Sequence, residues 1–128
     1  MDKDVVINKF EWFCNQIGGK FRSERVYNMD ILYCTGINKD LHCDMLLDKG
    51  DMKTLHLSSE DRGVELHLNK NDELNLETIL FARHNIQKVK SLYNKENAYT
   101  LGSMSVDVKN VQKIELRVYK NTLDCIIS

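Results

Sequence analysis

The stretch FEWFCNQIGGKFRSERVY, residues 10–27, decides the fold, because the hydrophobic period changes inside it. Upstream, Val6, Phe10, Phe13, Cys14 and Ile17 recur at helical spacing and form one apolar stripe, which predicts a helix over residues 4–17. Asp2 or Asp4 can cap its start, where negative charge meets the positive end of the helix dipole. Gly18 and Gly19 stop it, since glycine readily takes the left-handed conformation that ends helices. Downstream the period is two. Residues 20–27 read as a strand with Phe21, Ser23, Arg25 and Tyr27 on one face.

The alternation continues to the end of the chain. A turn at Asn28-Met29 leads into a strand over 30–35. Leu41, Cys43, Met45 and Leu47 alternate with His42 and Asp44, the pattern of a half-buried strand. Residues 48–51 read as a hairpin turn, with Gly50 tolerating positive φ. Strands over 53–58 and 63–68 follow, turned at 59–62, and 69–72 is a further polar turn. Residues 74–83 have helix-compatible spacing at Leu76, Ile79, Leu80 and Arg83 but lie inside a meander and are read as a strand. Strands over 85–92, 98–108, 111–119 and 123–127 complete the set, with turns at 93–97, Asn110 and Lys120-Asn121. Nine or ten short strands behind one N-terminal helix make a mainly β domain, an up-and-down antiparallel barrel or a sandwich. Its 128 residues suit a single domain over 1–128, and no linker, repeat or low-complexity stretch divides it.

Composition narrows the function classes. The formal net charge is -1 and the basic residues form no block, which argues against nucleic acid as a partner. Apolar runs are too short for a membrane span. The start, Met1-Asp2-Lys3-Asp4, is acidic and lacks both an apolar signal segment and transit-peptide character, so the chain is not expected to be secreted. Cys14, Cys34, Cys43 and Cys125 form no C-x-x-C pair, and are expected to be small core side chains in a reducing compartment. Usage is skewed to 13 Lys over 5 Arg, with 12 Asn and no Pro, as an AT-rich genome would produce.

No catalytic motif stands out. His42, His56 and His67 lie on different strands and can converge across a sheet, but no metal-ligand spacing accompanies them or His84. A Cys43–His nucleophile pair has no supporting motif. Ser103, Ser105 and Asp107 share one strand face, and Glu115, Arg117 and Tyr119 share a face of the next. These rows are either a solvated outer face or the polar lining of a barrel. In a lining, an acid can hydrogen-bond ring N–H groups and Arg117 can pair with a ligand carboxylate.

The junction Gly19, Phe21, Ser23, Arg25 resembles the G-x-W-x-S-x-R entry to the first strand of the S-type phycobiliprotein chromophore lyases. More loosely, Gln112-Lys113-Ile114-Glu115 and residues 121–128 resemble that family's last two strands. Phe21 stands where the family has Trp, Leu123 and Cys125 stand where it has Arg, and Trp12 is the only tryptophan. The resemblance implies a lipocalin-like barrel that attaches a linear tetrapyrrole (bilin) to a cysteine of a phycobiliprotein subunit. The attacking thiolate then belongs to the acceptor, and the bilin is substrate rather than resident cofactor. Asp107 or Glu115 would supply the catalytic acid, Arg25 a propionate or carbonyl contact, and Phe21 and Tyr27 the pocket wall. The setting implied is a plastid or the cyanobacterial cytoplasm, and a homodimer is compatible with it. Two other functions fit the same residues: a non-catalytic lipocalin-like binder or scaffold, and a small phage or bacterial interaction protein of the immunity or inhibitor kind.

Overall fold

The structure, a computed structural model, describes residues 3–48, 52–69, 103–119 and 122–128. The element order is α1 (Lys3–Gln16), β1 (Lys20–Val26), β2 (Met29–Asp48), β3 (Met52–Ser59), β4 (Arg62–Asn69), β5 (Ser103–Tyr119) and β6 (Thr122–Ile127). All pairings are antiparallel, in the order β4-β3-β2-β5-β6, with β1 on the first half of β2. Among the described residues the chain is therefore mainly β with one helix, as its periodicity predicts. Among the described residues the sheet is open and no barrel closure is seen. The strands expected over 74–83, 85–92 and the start of 98–108 lie outside the described residues. No helix among the described residues is long and apolar enough to cross a membrane.

Helix α1 ends as the two glycines require. The Gly19 amide donates to the Cys14 carbonyl (2.9 Å) and the Gly18 amide to that of Asn15 (3.2 Å), with Gly18 at φ 80°. These two bonds satisfy carbonyls that the helix end would otherwise leave open. The expected stripe is buried against one face of the sheet: Val6, Phe10, Phe13, Cys14 and Ile17 join Leu32, Leu41, Leu55, Leu57, Leu66, Leu116 and others in one core. Full burial of a side chain such as Phe10 or Phe13 contributes about 1.5–3 kcal/mol.

Two readings of the sequence change. Residues 30–35 and 41–47 are not separate strands but one, β2, and the described part of the strand expected over 98–108, residues 103–108, shares β5 with 111–119, so Asn110 is no turn. Each strand carries an irregularity instead. Pairing steps from Thr35↔Lys113 to Lys39↔Val111 to Leu41↔Val108, with Gly36, Asn38 and Asn110 at φ 71°, 69° and 55°. Inward residues are even-numbered before this point (Leu32, Cys34) and odd-numbered after it (Leu41, Cys43). A regular strand would have turned one of these sets to water, and extra residues in the bulge keep both on the core side. The first hairpin also turns one residue earlier than expected, at Tyr27-Asn28, since Val26 pairs with Met29.

The cysteines are the second correction. Cys14 and Cys34 are not independent core residues but form a disulfide joining α1 to β2. Cys43 and Cys125 take part in no disulfide, and both are buried. A cross-link closing a loop of 20 residues contributes about 3 kcal/mol by restricting the unfolded chain. Gly19 is part of this arrangement, because a Cβ there would collide with the sulfurs of Cys34 and Cys14.

Candidate functional site

Since α1 covers one sheet face, the chemistry lies on the other. Alternation along β2 to β5 puts His42 and Asp44, Thr54 and His56, Glu65 and His67, and Asp107 on that outer face. The three histidines share that face on three neighbouring strands, but only His42 and His56 are linked, through Asp44, and His67 stands apart. His42 Nδ1 lies 2.6 Å from Asp107 and Nε2 lies 3.0 Å from Asp44. The second oxygen of Asp44 is 3.6 Å from His56 Nδ1. Beyond, His67 meets the Thr54 hydroxyl at 3.0 Å and Glu65 at 3.5 Å. The Asp107 hydrogen bond, aided by the charge of Asp44 and opposed by partial burial, raises His42 above the ordinary histidine value. No three of the described His, Cys, Asp and Glu residues are grouped to hold a metal ion.

The other half of the outer face surrounds Tyr33. Its hydroxyl donates to Glu24 at 2.8 Å, and the Arg22 guanidinium lies 4.3 Å from the ring centre with the Lys113 ammonium at 5.0 Å. The hydrogen bond to Glu24, then burial, push the phenol up from its ordinary value. Beside it Glu115 accepts from Arg117 Nε at 2.7 Å and lies 3.6 Å from Lys113.

Between the two halves, at the bulge, is a shallow polar depression of about 380 Å3 lined by Asn38, Lys39, Asp40, Ser59, Glu60 and Asn110. Its groups satisfy one another. The Asn110 amide donates to Asp40 at 3.0 Å and holds that carboxyl below its ordinary value, Lys39 pairs with Glu60, and the Ser59 hydroxyl donates to the Asp40 carbonyl.

The six residues expected at a site are dispersed. Phe21 is half-buried on the helix side, edge-on to Phe10 with ring centres 6.2 Å apart. Arg25 follows on that same side, its side chain 62% exposed and 3.9 Å from Asp30, which Lys3 of α1 also reaches at 3.4 Å. Tyr27 occupies the hairpin tip, 95% exposed with φ 57°. Asp107, Glu115 and Arg117 lie on the outer face, and only Glu115 and Arg117 touch. Asp107 and Glu115 are separated along β5 by roughly 25 Å at ~3.3 Å per residue. The sheet thus stands between Phe21 and Arg25 on one side and the acids on the other.

Sequence reading missed Asp44 and the Tyr33 cluster as parts of an array. The alternation of His42 and Asp44 with Leu41 and Cys43 held the first signal, since it places both on one face. The Tyr33 cluster needs the β1–β2 and β2–β5 registers, which no local pattern supplies. No family model, no curated protein and no solved structure matches this chain.

Proposed function

We propose that the chain is a non-catalytic interaction protein that presents the outer sheet face to a macromolecular partner. The observation that supports this reading is the contrast between the faces: α1 and apolar side chains fill one, and ordered charged and histidine side chains occupy the other. That face is bipolar. Asp44, Asp107 and Glu65 dominate one half, while Arg22, Lys113 and Arg117 outnumber Glu24 and Glu115 on the other. A partner of reversed polarity would be recognised in one orientation, with an association rate that falls as salt rises. The small phage or bacterial interaction protein is the form of this reading that the composition favours.

A second reading, bilin attachment, draws support from the helix-then-antiparallel-sheet plan and from Glu115 beside Arg117 on one face. It requires the sheet to close into a nine- or ten-stranded lipocalin-like barrel, with Arg117 on a propionate and Glu115 or Asp107 as acid. The bilin and a phycobiliprotein subunit would be its substrates, in a plastid or the cyanobacterial cytoplasm. Phe21 and Arg25, on the opposite face, would not reach the same ligand. One experiment separates the readings: mix the chain with free bilin and an apo-phycobiliprotein, then follow visible absorbance and covalent mass on the acceptor. The interaction reading expects neither colour on this chain nor transfer. Colour that moves to an acceptor cysteine overturns it in favour of the lyase, and colour that stays on the chain makes it a bilin binder.

A further inference from the structure

We propose that His42 is a proton-operated clasp between β2 and the N-terminal half of β5. The argument starts from the donor count of imidazole. A neutral ring carries one N–H and one lone pair, whereas the imidazolium carries two N–H donors. Both ring nitrogens of His42 face a carboxylate oxygen, Asp107 Oδ1 on β5 at 2.6 Å and Asp44 Oδ1 on β2 at 3.0 Å. Only the imidazolium donates to both. Loss of one proton leaves one carboxylate facing a lone pair, so one of the two contacts must open. Proton uptake therefore sets whether the bond that crosses to β5, His42 to Asp107, is charge-assisted and its ring is also held by Asp44 within β2, or one of these two contacts is lost.

The position makes the switch matter. β6 pairs with β5 only from Ile114 to Tyr119. Among the described residues, the segment of β5 before the Asn110 irregularity is paired with β2 alone. His42 stands directly opposite Asp107 in that ladder. On this face β2 adds Asp40, which is paired with Lys109 of β5, and β3 adds His56, which meets Asp44 at 3.6 Å. Farther out, β4 adds Glu65 and His67, paired with each other. Asp107 and Asp44 thus repel each other across the ring unless it is charged. This inference holds whether or not the face meets a partner.

Nuclear magnetic resonance on the full chain tests it. The His42 ring nitrogens, followed from about pH 5.5 to about pH 8.5, should both be protonated on the acid side and titrate above about 6.5, the ordinary histidine value. Amide exchange of residues 41–44 and 103–109, corrected for its intrinsic pH dependence, should be several-fold slower on the acid side of that midpoint. His42→Gln should abolish this difference. Asp107→Asn and Asp44→Asn each remove one charged acceptor and should lower the His42 midpoint, which keeps the test open if His42→Gln fails to fold. A His42 midpoint at or below the ordinary value overturns the clasp. So does corrected protection that is equal on both sides of the midpoint, or a pH difference that survives in a folded His42→Gln chain.

Discussion

On the helix side of the sheet Leu32, Cys34, Leu41 and Cys43 are closed to solvent, while His42, between the last two, keeps 42% of its side chain in water. Neighbouring residues of one strand thus obey different physics. Inside, stability comes from apolar area removed from water and from a cross-link, and each side chain tolerates little change in volume. Outside, around His42, the contacts are partly exposed ion pairs and hydrogen bonds, each worth a fraction of an inner contact, while Ile31 and Tyr33 are the buried exceptions on that face. The inner face accordingly holds the molecule together, and the outer face is free to vary its chemistry. A recognition surface belongs on the second kind of face.

Substitutions ranked by expected effect probe that contrast. Phe10→Ala, at a fully buried position, should cost about 3–5 kcal/mol in denaturant unfolding. Paired replacement of Cys14 and Cys34 by Ser should cost about 2–4 kcal/mol, and alkylation of the unreduced, unfolded parent chain should label Cys43 and Cys125 alone. Gly19→Ala should cost about 1–3 kcal/mol, because its methyl group meets both sulfurs and cannot be accommodated without backbone movement.

Outer-face changes should be smaller. Tyr33→Phe removes the hydroxyl bond to Glu24 and should cost about 1 kcal/mol. The contribution of His42 has a definite sign. Its value is raised in the folded state, so its stabilisation is complete below about 6.5 and fades as pH rises through the raised value. With the ring partly exposed, that contribution should stay under about 1 kcal/mol, read as a difference in unfolding midpoint between parent and His42→Gln across that window. A loss at Tyr33 or His42 comparable to Phe10→Ala would erase the contrast between the faces.

How far the chain could be read without coordinates follows the same division. The helix, its glycine stop and the core-facing residues of the second half of β2, of β5 and of β6 are local patterns, and the spacing of apolar residues states them directly. The bulge was not legible, because Ile31, Leu32, Tyr33 and Cys34 are all apolar and residues 30–35 show no phase to compare with that of Leu41 and Cys43. The disulfide depended on register. With the hairpin turned at Asn28-Met29, Cys34 falls opposite Ser23; with the turn at Tyr27-Asn28 it falls opposite Phe21, two residues from Gly19 and within reach of Cys14. The candidate site was the least legible part. Arg25 and Glu115 both occupy strand positions that alternate cleanly, yet which face each takes depends on the side that α1 covers.

The place of β2 at the centre of the sheet also bears on how the molecule forms. Its partners on one side, β1 and β3, are its neighbours in the chain, joined to it by the Tyr27-Asn28 turn and by the short connection after Asp48. Its partner on the other side, β5, arrives from the far end of the sequence, pairing Asp30 with Val118 and Leu46 with Ser103. Local hairpins close on the microsecond scale, whereas such distant pairing must first overcome the entropy of a large loop. During synthesis the N-terminal helix and hairpins emerge before the strand that completes their sheet. Until β5 docks, β2 presents an unpaired edge of twenty residues, and that interval is when the chain is most open to pairing with another copy of itself.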